Sequence, residues 1–325
     1  MYRRIRSILT PKVEFGLKVV TTTGLVALLV SKLDMDHLVS LPNSIDGGYL
    51  ILGILFTTIF VALRVLKWRV LTSANGLTAP KADLIRSYLV SLAVGAVTPL
   101  RTGELARVVV FPRSSQTKAT TLFLYDKLTD LWLILLCALV GSYQVNIVLF
   151  ISFLACAFIL GGILFFLQPI LRILGKANLF TFAKKRLQSL LSSVEPINLS
   201  IPTYWLLTVL TYFFGYLAII VLIRSFTPVV SWWFIILLPL VTLSNLLPIT
   251  IGGIGIREGV AALVLPIADV PAEVAAASFF LAFALSILLP GVAGLCWNTV
   301  RTIRMWLVPT KDANGNSGAT EENRQ

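Results

Sequence analysis

Long apolar stretches alternate with short polar or basic segments along the whole chain of 325 residues. A helix that spans a membrane needs about 20 consecutive, mostly apolar residues. Six stretches reach this length: residues 14–33, 48–66, 122–142, 146–168, 203–223 and 274–297. The pattern predicts an all-α polytopic membrane protein with six spanning helices.

The composition agrees with a membrane protein and excludes several other classes. Hydrophobic residues make up 57% of the chain and charged residues only 13%, whereas ordinary soluble domains carry about 25% charged residues. Too little polar surface remains for a soluble enzyme or a secreted scaffold. The chain holds one histidine, His37, and its three cysteines, Cys137, Cys156 and Cys296, lie far apart in apolar stretches. We therefore expect no metal and no cofactor.

The basic residues predict the orientation of the chain in the membrane. The net charge is +12, and cytoplasmic loops of membrane proteins carry an excess of Lys and Arg. With a cytoplasmic N-terminus, all 27 Lys and Arg lie on the cytoplasmic side except Lys18, Lys32, Arg224 and Arg257. We predict a multi-pass protein of the cytoplasmic membrane with both termini in the cytoplasm. The positive charge then needs no nucleic-acid partner.

The polar segments define the domain organisation. We predict a single transmembrane domain over residues 1–309 and a disordered cytoplasmic tail over residues 310–325, which is polar and lacks apolar periodicity. Residues 169–200 form a basic cytoplasmic linker. This linker is either an amphipathic helix at the lipid headgroups or a solvated connection.

Two further apolar stretches are interrupted near their middle by proline and glycine. They are residues 82–111, the first broken segment, and residues 232–266, the second broken segment. Both contain the spacing P-x-x-x-G, which ends at Gly103 in the first and at Gly252 in the second. Ionisable residues follow each break closely.

The topology gives these two segments opposite directions of entry. The first lies between cytoplasmic charges and the second between outside loops, so we expect two re-entrant hairpins that approach the membrane centre from opposite faces. Together with the flanking helices they form an inverted repeat with units near 48–142 and 203–297. Paired interrupted segments of this kind indicate the binding site of a transporter. The alternative is that each break is a kink in a continuous spanning helix.

Irregular backbone at bilayer depth needs protein or water partners, and it lines cavities for that reason. We expect the hairpin backbones to be shaped by Thr98, Pro99, Gly103, Pro248, Gly252, Gly253 and Gly255. Thr followed by Pro is a good cap and first-turn pair for a helix. The predicted substrate-binding residues are Arg101, Glu104, Arg107, Asn245, Arg257 and Glu258. The planar guanidinium suits phosphate, so this set favours an anionic headgroup.

A structural interpretation of the same charges stays open. Charges inside a membrane usually pair with one another. Arg101 with Glu258, or Glu104 with Arg257, would then be ion pairs between the hairpins. Asp126 and Asp130, at the start of the third predicted helix, either complement its dipole or pair with Arg107.

Three runs of this sequence resemble the lysylphosphatidylglycerol synthase transmembrane-region family, which is also described as flippase-like. They are Thr98-Pro-Leu-Arg-Thr-Gly-Glu-Leu-Ala-Arg107, Tyr125-Asp-Lys-Leu-Thr-Asp130 and Leu247-Pro-Ile-Thr-Ile-Gly-Gly-Ile-Gly-Ile-Arg-Glu258. The resemblance covers roughly residues 10–305 and implies a lipid-handling membrane protein. Bifunctional members add a soluble aminoacyl-transfer domain, and only a polar tail follows here, so we do not expect this chain alone to synthesise lysylphosphatidylglycerol.

We expect a non-enzymatic translocator of an anionic or sugar-bearing phospholipid or polyprenyl lipid. The sequence has no Walker loop, so ATP is not the direct driver. One alternative is an accessory partner of a lipid-modifying or glycosyl-transferring enzyme. Another is an intramembrane transferase or phosphatase, which the lack of a histidine nucleophile disfavours.

Overall fold

The computed structural model describes residues 45–176, 201–227, 234–244, 250 and 253–307, and scattered positions between 16 and 33. All regular secondary structure in this part of the chain is helical. Part of the predicted first span, most of the basic linker and the whole polar tail lie outside the described residues.

The described α-helices are numbered here in chain order. They are α1 (Gly47–Ala74), α2 (Lys81–Val97), α3 (Gln116–Val145), α4 (Ile147–Lys176), α5 (Pro202–Phe226), α6 (Phe234–Leu243), α7 (Ile256–Val264), α8 (Ala272–Phe283) and α9 (Leu289–Leu307). Short 3-10 helices occupy Arg113–Ser115 and Leu265–Ala268, and a longer one spans Pro99–Val110 after α2. A π-helical turn, Ala284–Leu288, joins α8 to α9.

Within the described residues, five helical stretches are long and apolar enough to cross a membrane. They are Gly47–Ala74, Arg113–Val145, Ile147–Leu164, Pro202–Phe226 and Ala272–Arg301. Each overlaps one of the predicted spans, which confirms the all-α membrane class. The structure describes only scattered positions of the stretch 14–33, so the total number of spans stays a prediction.

The distribution of side chains is that of a membrane protein. Large apolar side chains face outward, with Ile51 67% and Phe158 75% exposed. Charged side chains lie inside, with Lys67 2% and Asp126 3% exposed. A soluble protein has the opposite arrangement, because charged side chains are almost never buried there without partners.

Helices α1 and α5 run antiparallel along each other. The backbone N–H of Asp46, just before α1, donates to the carbonyl of Ser225 near the end of α5 at 2.8 Å. Near the end of α1, the Lys67 ammonium lies 5.6 Å from the ring centre of Tyr204 near the start of α5. Residue numbers therefore rise along one helix as they fall along the other.

The first broken segment is a tight hairpin. Its two limbs, α2 and the 3-10 helix Pro99–Val110, pack so closely that a Cβ added at Gly95 would lie 2.6 Å from Cγ of Glu104, and one at Gly103 would lie 2.5 Å from the Val94 carbonyl oxygen. At the turn, the Thr98 hydroxyl accepts a hydrogen bond from the Gly103 backbone N–H at 2.7 Å. The chain thus reverses at this break, and a kink in one continuous helix does not describe it.

The second broken segment is described only in part. Its helices α6 and α7 share one apolar core with α5 and α8, in which Val241 and Ala261 are fully buried. Asn245, Pro248 and Gly252 lie outside the described residues. A second hairpin at this break stays a prediction.

Candidate functional site

A cavity of about 570 Å³ lies in the interior of the helical bundle. Its wall is formed by α1, the first broken segment, α3, α5, the second broken segment, α8 and the π-helical turn. Most of the wall is apolar, aromatic or hydroxyl-bearing. The charged residues among the described lining are Arg64, Arg101, Glu104, Lys127, Asp130 and Arg257.

Arg101 occupies the tip of the first hairpin in an uncommon backbone conformation. Its φ is 54°, in the left-handed region, which costs a residue with a side chain about 1–2 kcal/mol. The surrounding hairpin maintains this conformation, and strained residues of this kind cluster at ligand sites. The Arg101 side chain is 26% exposed, and its guanidinium lies 3.9 Å from the Glu104 carboxylate.

Glu104 is a single buried carboxylate shared by three cations. Arg107 donates to it at 2.9 Å, Arg101 lies at 3.9 Å, and the Lys127 ammonium of α3 contacts the same carboxylate. One negative charge cannot neutralise three positive charges. An excess of positive charge therefore remains at this part of the cavity wall.

A second ion-pair group lies behind the cavity and joins α1 to α3. Lys67 of α1 contacts Asp126 at 2.9 Å and Asp130 at 2.5 Å, both on α3. Asp126 also accepts a hydrogen bond from the Tyr204 hydroxyl of α5 at 3.2 Å and lies 3.7 Å from the Arg107 guanidinium. Asp130 reaches the cavity, so this group connects the interior to the wall.

Arg107 is enclosed by aromatic rings rather than by the cavity. Its side chain is 1% exposed. Its guanidinium lies 5.1 Å from the ring centre of Trp68, 4.7 Å from that of Tyr88 and 4.7 Å from that of Phe123. These contacts hold the 3-10 helix against α1, α2 and α3.

Arg257 and Glu258 lie side by side at the start of α7. The Glu258 carboxylate accepts a hydrogen bond from the Gly255 backbone N–H at 2.7 Å and also contacts the Arg257 guanidinium. Gly255 has φ 86°, which a glycine adopts without strain. Among the described residues, Arg257 Nε has no hydrogen-bond partner, although the side chain is only 7% exposed. A donor left in this state is suited to a ligand.

The structure brings some of the predicted site residues to one cavity and leaves others behind its wall. Those that line the cavity are Arg101, Glu104, Arg257, Thr98 and Gly253. Arg107 and Glu258 are buried and are not among the lining residues. The three predicted positions near the second break, Asn245, Pro248 and Gly252, lie outside the described residues.

The observed ion pairs differ from the pairs between the two hairpins that the sequence analysis considered as an alternative. Within the described part of the chain, the carboxylate partners of the hairpin arginines are on the same hairpin or on α3. Arg107 approaches Asp126, as one of the alternatives supposed. No group of three metal-binding side chains occurs among the described residues.

Three charged residues of the wall were not in the predicted set. Lys127 and Asp130 belong to α3, and Arg64 belongs to α1. Arg64 lies near the end of the predicted span 48–66, and α1 continues to Ala74, so Lys67 lies within the same helix. The spacing of Arg64 and Lys67, one turn apart in an apolar helix, was the available signal, because charges within a span are functional candidates.

Comparison with known proteins connects this site to a family. No curated protein matches the chain. The family model described as "Lysylphosphatidylglycerol synthase TM region" matches residues 15–294, which include both broken segments and every residue that lines the cavity. The match confirms the resemblance in the three motifs, and the chain belongs to the lysylphosphatidylglycerol synthase transmembrane-region family.

Proposed function

We propose that this protein is a lipid translocator of the cytoplasmic membrane, with both termini in the cytoplasm. It moves an anionic or sugar-bearing phospholipid or polyprenyl lipid, and it makes and breaks no covalent bond in that lipid. The observation that carries the proposal is the cation-rich cavity of about 570 Å³, to which both broken segments contribute. The headgroup occupies this cavity while the tails remain in the bilayer.

The chemistry of the wall supports an anionic headgroup. Among the described residues, four cationic side chains and two carboxylates line the cavity: Arg64, Arg101, Lys127, Arg257, Glu104 and Asp130. Charges inside a membrane protein are costly and usually mark a pathway or a binding site. Guanidinium groups bind phosphate oxygens through paired hydrogen bonds. The apolar remainder of the wall suits the part of the lipid that adjoins the headgroup.

The packing of the helices supports the inverted repeat that the proposal includes. In each predicted unit the last helix packs against the first limb of the other unit's broken segment. A Cβ added at Gly141 of α3 would lie 2.1 Å from the Ile236 carbonyl oxygen of α6. A Cβ added at Gly291 of α9 would lie 2.9 Å from the Ala93 nitrogen of α2. This reciprocal contact, with α1 and α5 antiparallel, is the arrangement expected of two inverted units that rock around one central site.

The test is transport in proteoliposomes that contain phosphatidylglycerol labelled with a fluorophore on a short acyl chain. A membrane-impermeant quencher reports the fraction of the label in the outer leaflet over time. We expect the wild type to accelerate exchange between leaflets over protein-free liposomes. Arg101→Ala removes a charged donor at the hairpin tip and should slow exchange roughly tenfold or more.

The matched control is Arg69→Ala, because Arg69 lies on the exposed face of α1 and does not line the cavity. It should exchange lipid like the wild type. Wild-type exchange no faster than in protein-free liposomes would overturn the proposal. Unchanged exchange by Arg101→Ala would remove the headgroup role of the first hairpin.

A further inference from the structure

We infer that the cavity selects a lipid that ends in a terminal phosphate group, which carries up to two negative charges, over a phosphodiester lipid that carries one. This inference rests on the proposed function and narrows its substrate class. It concerns the charge balance of the cavity and of the side chains directly behind it.

The charge balance is obtained from the connected ion pairs at the cavity together with Arg64, which lines the same wall. Its cations are Arg64, Lys67, Arg101, Arg107 and Lys127, and its carboxylates are Glu104, Asp126 and Asp130. Five positive charges against three negative charges leave an excess of two. The Arg257–Glu258 pair adjoins this group and is neutral as a pair.

The excess is carried by side chains that line the cavity. No carboxylate lies within 4.0 Å of the Arg64 guanidinium among the described residues. The rings of Phe60 and Tyr88 lie at 5.4 and 6.0 Å, and the carboxylates of Glu104 and Asp130 attract the guanidinium from farther away. Arg101 lies 3.9 Å from the Glu104 carboxylate, which Arg107 and Lys127 also contact. Arg64 and Arg257 both lie near enough to Arg101 to repel it.

Three guanidinium groups thus converge on one cavity from three different elements of the fold. They come from α1, the first hairpin and the start of α7. A terminal phosphate offers three unesterified oxygens, and a phosphodiester offers two. A terminal phosphate can therefore accept from all three guanidinium groups at the same time.

Two uncompensated charges in a low-dielectric interior carry a large desolvation cost. A ligand with two negative charges cancels the excess, and a ligand with one leaves a positive charge unpaired. The Thr250 hydroxyl and Arg257 Nε, both buried at the cavity wall, have no hydrogen-bond partner among the described residues. These two donors lie beside the headgroup site and are covered from the cavity in this structure.

The experiment compares two lipids with identical acyl chains, phosphatidic acid and phosphatidylglycerol. The purified wild type in an uncharged detergent is titrated with each at about pH 8, where a phosphomonoester with a second pKa near 6 is doubly charged. Bound lipid is counted by native mass spectrometry. We expect phosphatidic acid to bind about tenfold more tightly, the factor that one additional charge-assisted hydrogen bond supplies.

Equal affinities, or tighter binding of phosphatidylglycerol, would overturn this inference and leave the proposed translocator standing. Absence of accelerated exchange for either lipid in the liposome assay would instead overturn the proposed function. Inorganic phosphate is the third ligand in the titration. Displacement of phosphatidic acid by an equal concentration of inorganic phosphate would show a site for a soluble anion and would overturn the assignment to a lipid.

Arg64→Gln tests the source of the excess charge. It should weaken phosphatidic acid binding about tenfold and phosphatidylglycerol binding by less, because the second ligand charge loses its partner. Arg69→Gln, on the exposed face of the same helix, should leave both affinities unchanged. If Arg64→Gln does not fold, Arg101→Gln carries the same expectation. An equal loss of affinity for both lipids would contradict the charge argument. The comparison of the two lipids on the wild type tests the inference even if neither variant folds.

Discussion

Replacing Glu104 with glutamine removes one negative charge and keeps the size of the side chain. Glu104 is 3% exposed and is shared by Arg107 at 2.9 Å, Arg101 at 3.9 Å and Lys127. The substitution leaves all three cations in place and raises the positive excess of the cluster by one. We therefore expect Glu104→Gln to destabilise the fold strongly.

The magnitude follows from burial and from the number of partners. Removing one member of a buried ion pair costs about 3–5 kcal/mol, because the other member stays buried and unpaired. Arg107 is 1% exposed, and its other carboxylate neighbour, Asp126, lies farther away at 3.7 Å. For proteins of 150–250 residues, each kcal/mol lowers the melting temperature by roughly 2–4 °C. We expect a decrease of about 5 °C or more, allowing for the greater length of this chain.

The assay is thermal unfolding of the purified protein in detergent, followed by tryptophan fluorescence. Asp269→Asn is the matched control, since Asp269 is an exposed carboxylate with φ 63°, a conformation that asparagine tolerates. It should melt like the wild type. Adding Lys127→Met to Glu104→Gln restores the original charge excess and should recover part of the stability. The charge argument fails if Glu104→Gln melts within about 1 °C of the wild type, or if the double variant melts no higher than the single one.

Two further substitutions test packing and the hairpin tip. Gly141→Ala places a Cβ 2.1 Å from the Ile236 carbonyl oxygen and should cost about 1–3 kcal/mol. The control is Gly162→Ala, which is also in a helix and has no atom within 4 Å of the added Cβ. It should melt no lower than the wild type. Equal melting temperatures of the two variants would refute the packing argument. Arg101→Gly keeps the left-handed backbone at φ 54°, so it should retain the fold and lose lipid exchange. Retained exchange would assign Arg101 to the turn alone.

The spanning helices were predictable because apolar length is a local property of the sequence. Five of the six predicted stretches coincide with described helices. The end of α1 was not predictable in the same way. Arg64 and Lys67 interrupt the apolar run, yet the helix continues to Ala74 because Asp126 and Asp130 of another helix pair with Lys67. Only the tertiary structure brings those carboxylates to that position.

The candidate site was predictable where charge follows a break in an apolar segment. Arg101 and Arg257 were identified on this basis, and both line the cavity. Spacing alone did not separate Arg101 from Arg107, because residues three and six apart share one face of a 3-10 helix. Their depth differs, since the rings around Arg107 come from α1, α2 and α3. Lys127 was not predicted as a lining residue. Its position at the cavity depends on which helices pack against α3, and the sequence does not specify those neighbours.

The interior ion pairs give the cavity its character. Replacing buried ion pairs with apolar residues is often neutral or stabilising, so stability alone does not explain them. Asp130 lines the cavity, and Lys67 contacts it at 2.5 Å from behind. Glu104 lines the cavity, and Arg107 donates to it from the buried side at 2.9 Å. Each buried cation engages a carboxylate that would otherwise neutralise the cavity arginines. In the proposed translocator, the phosphate of the lipid therefore meets Arg64 and Arg101 at a wall whose carboxylates, Glu104 and Asp130, are already engaged from the buried side.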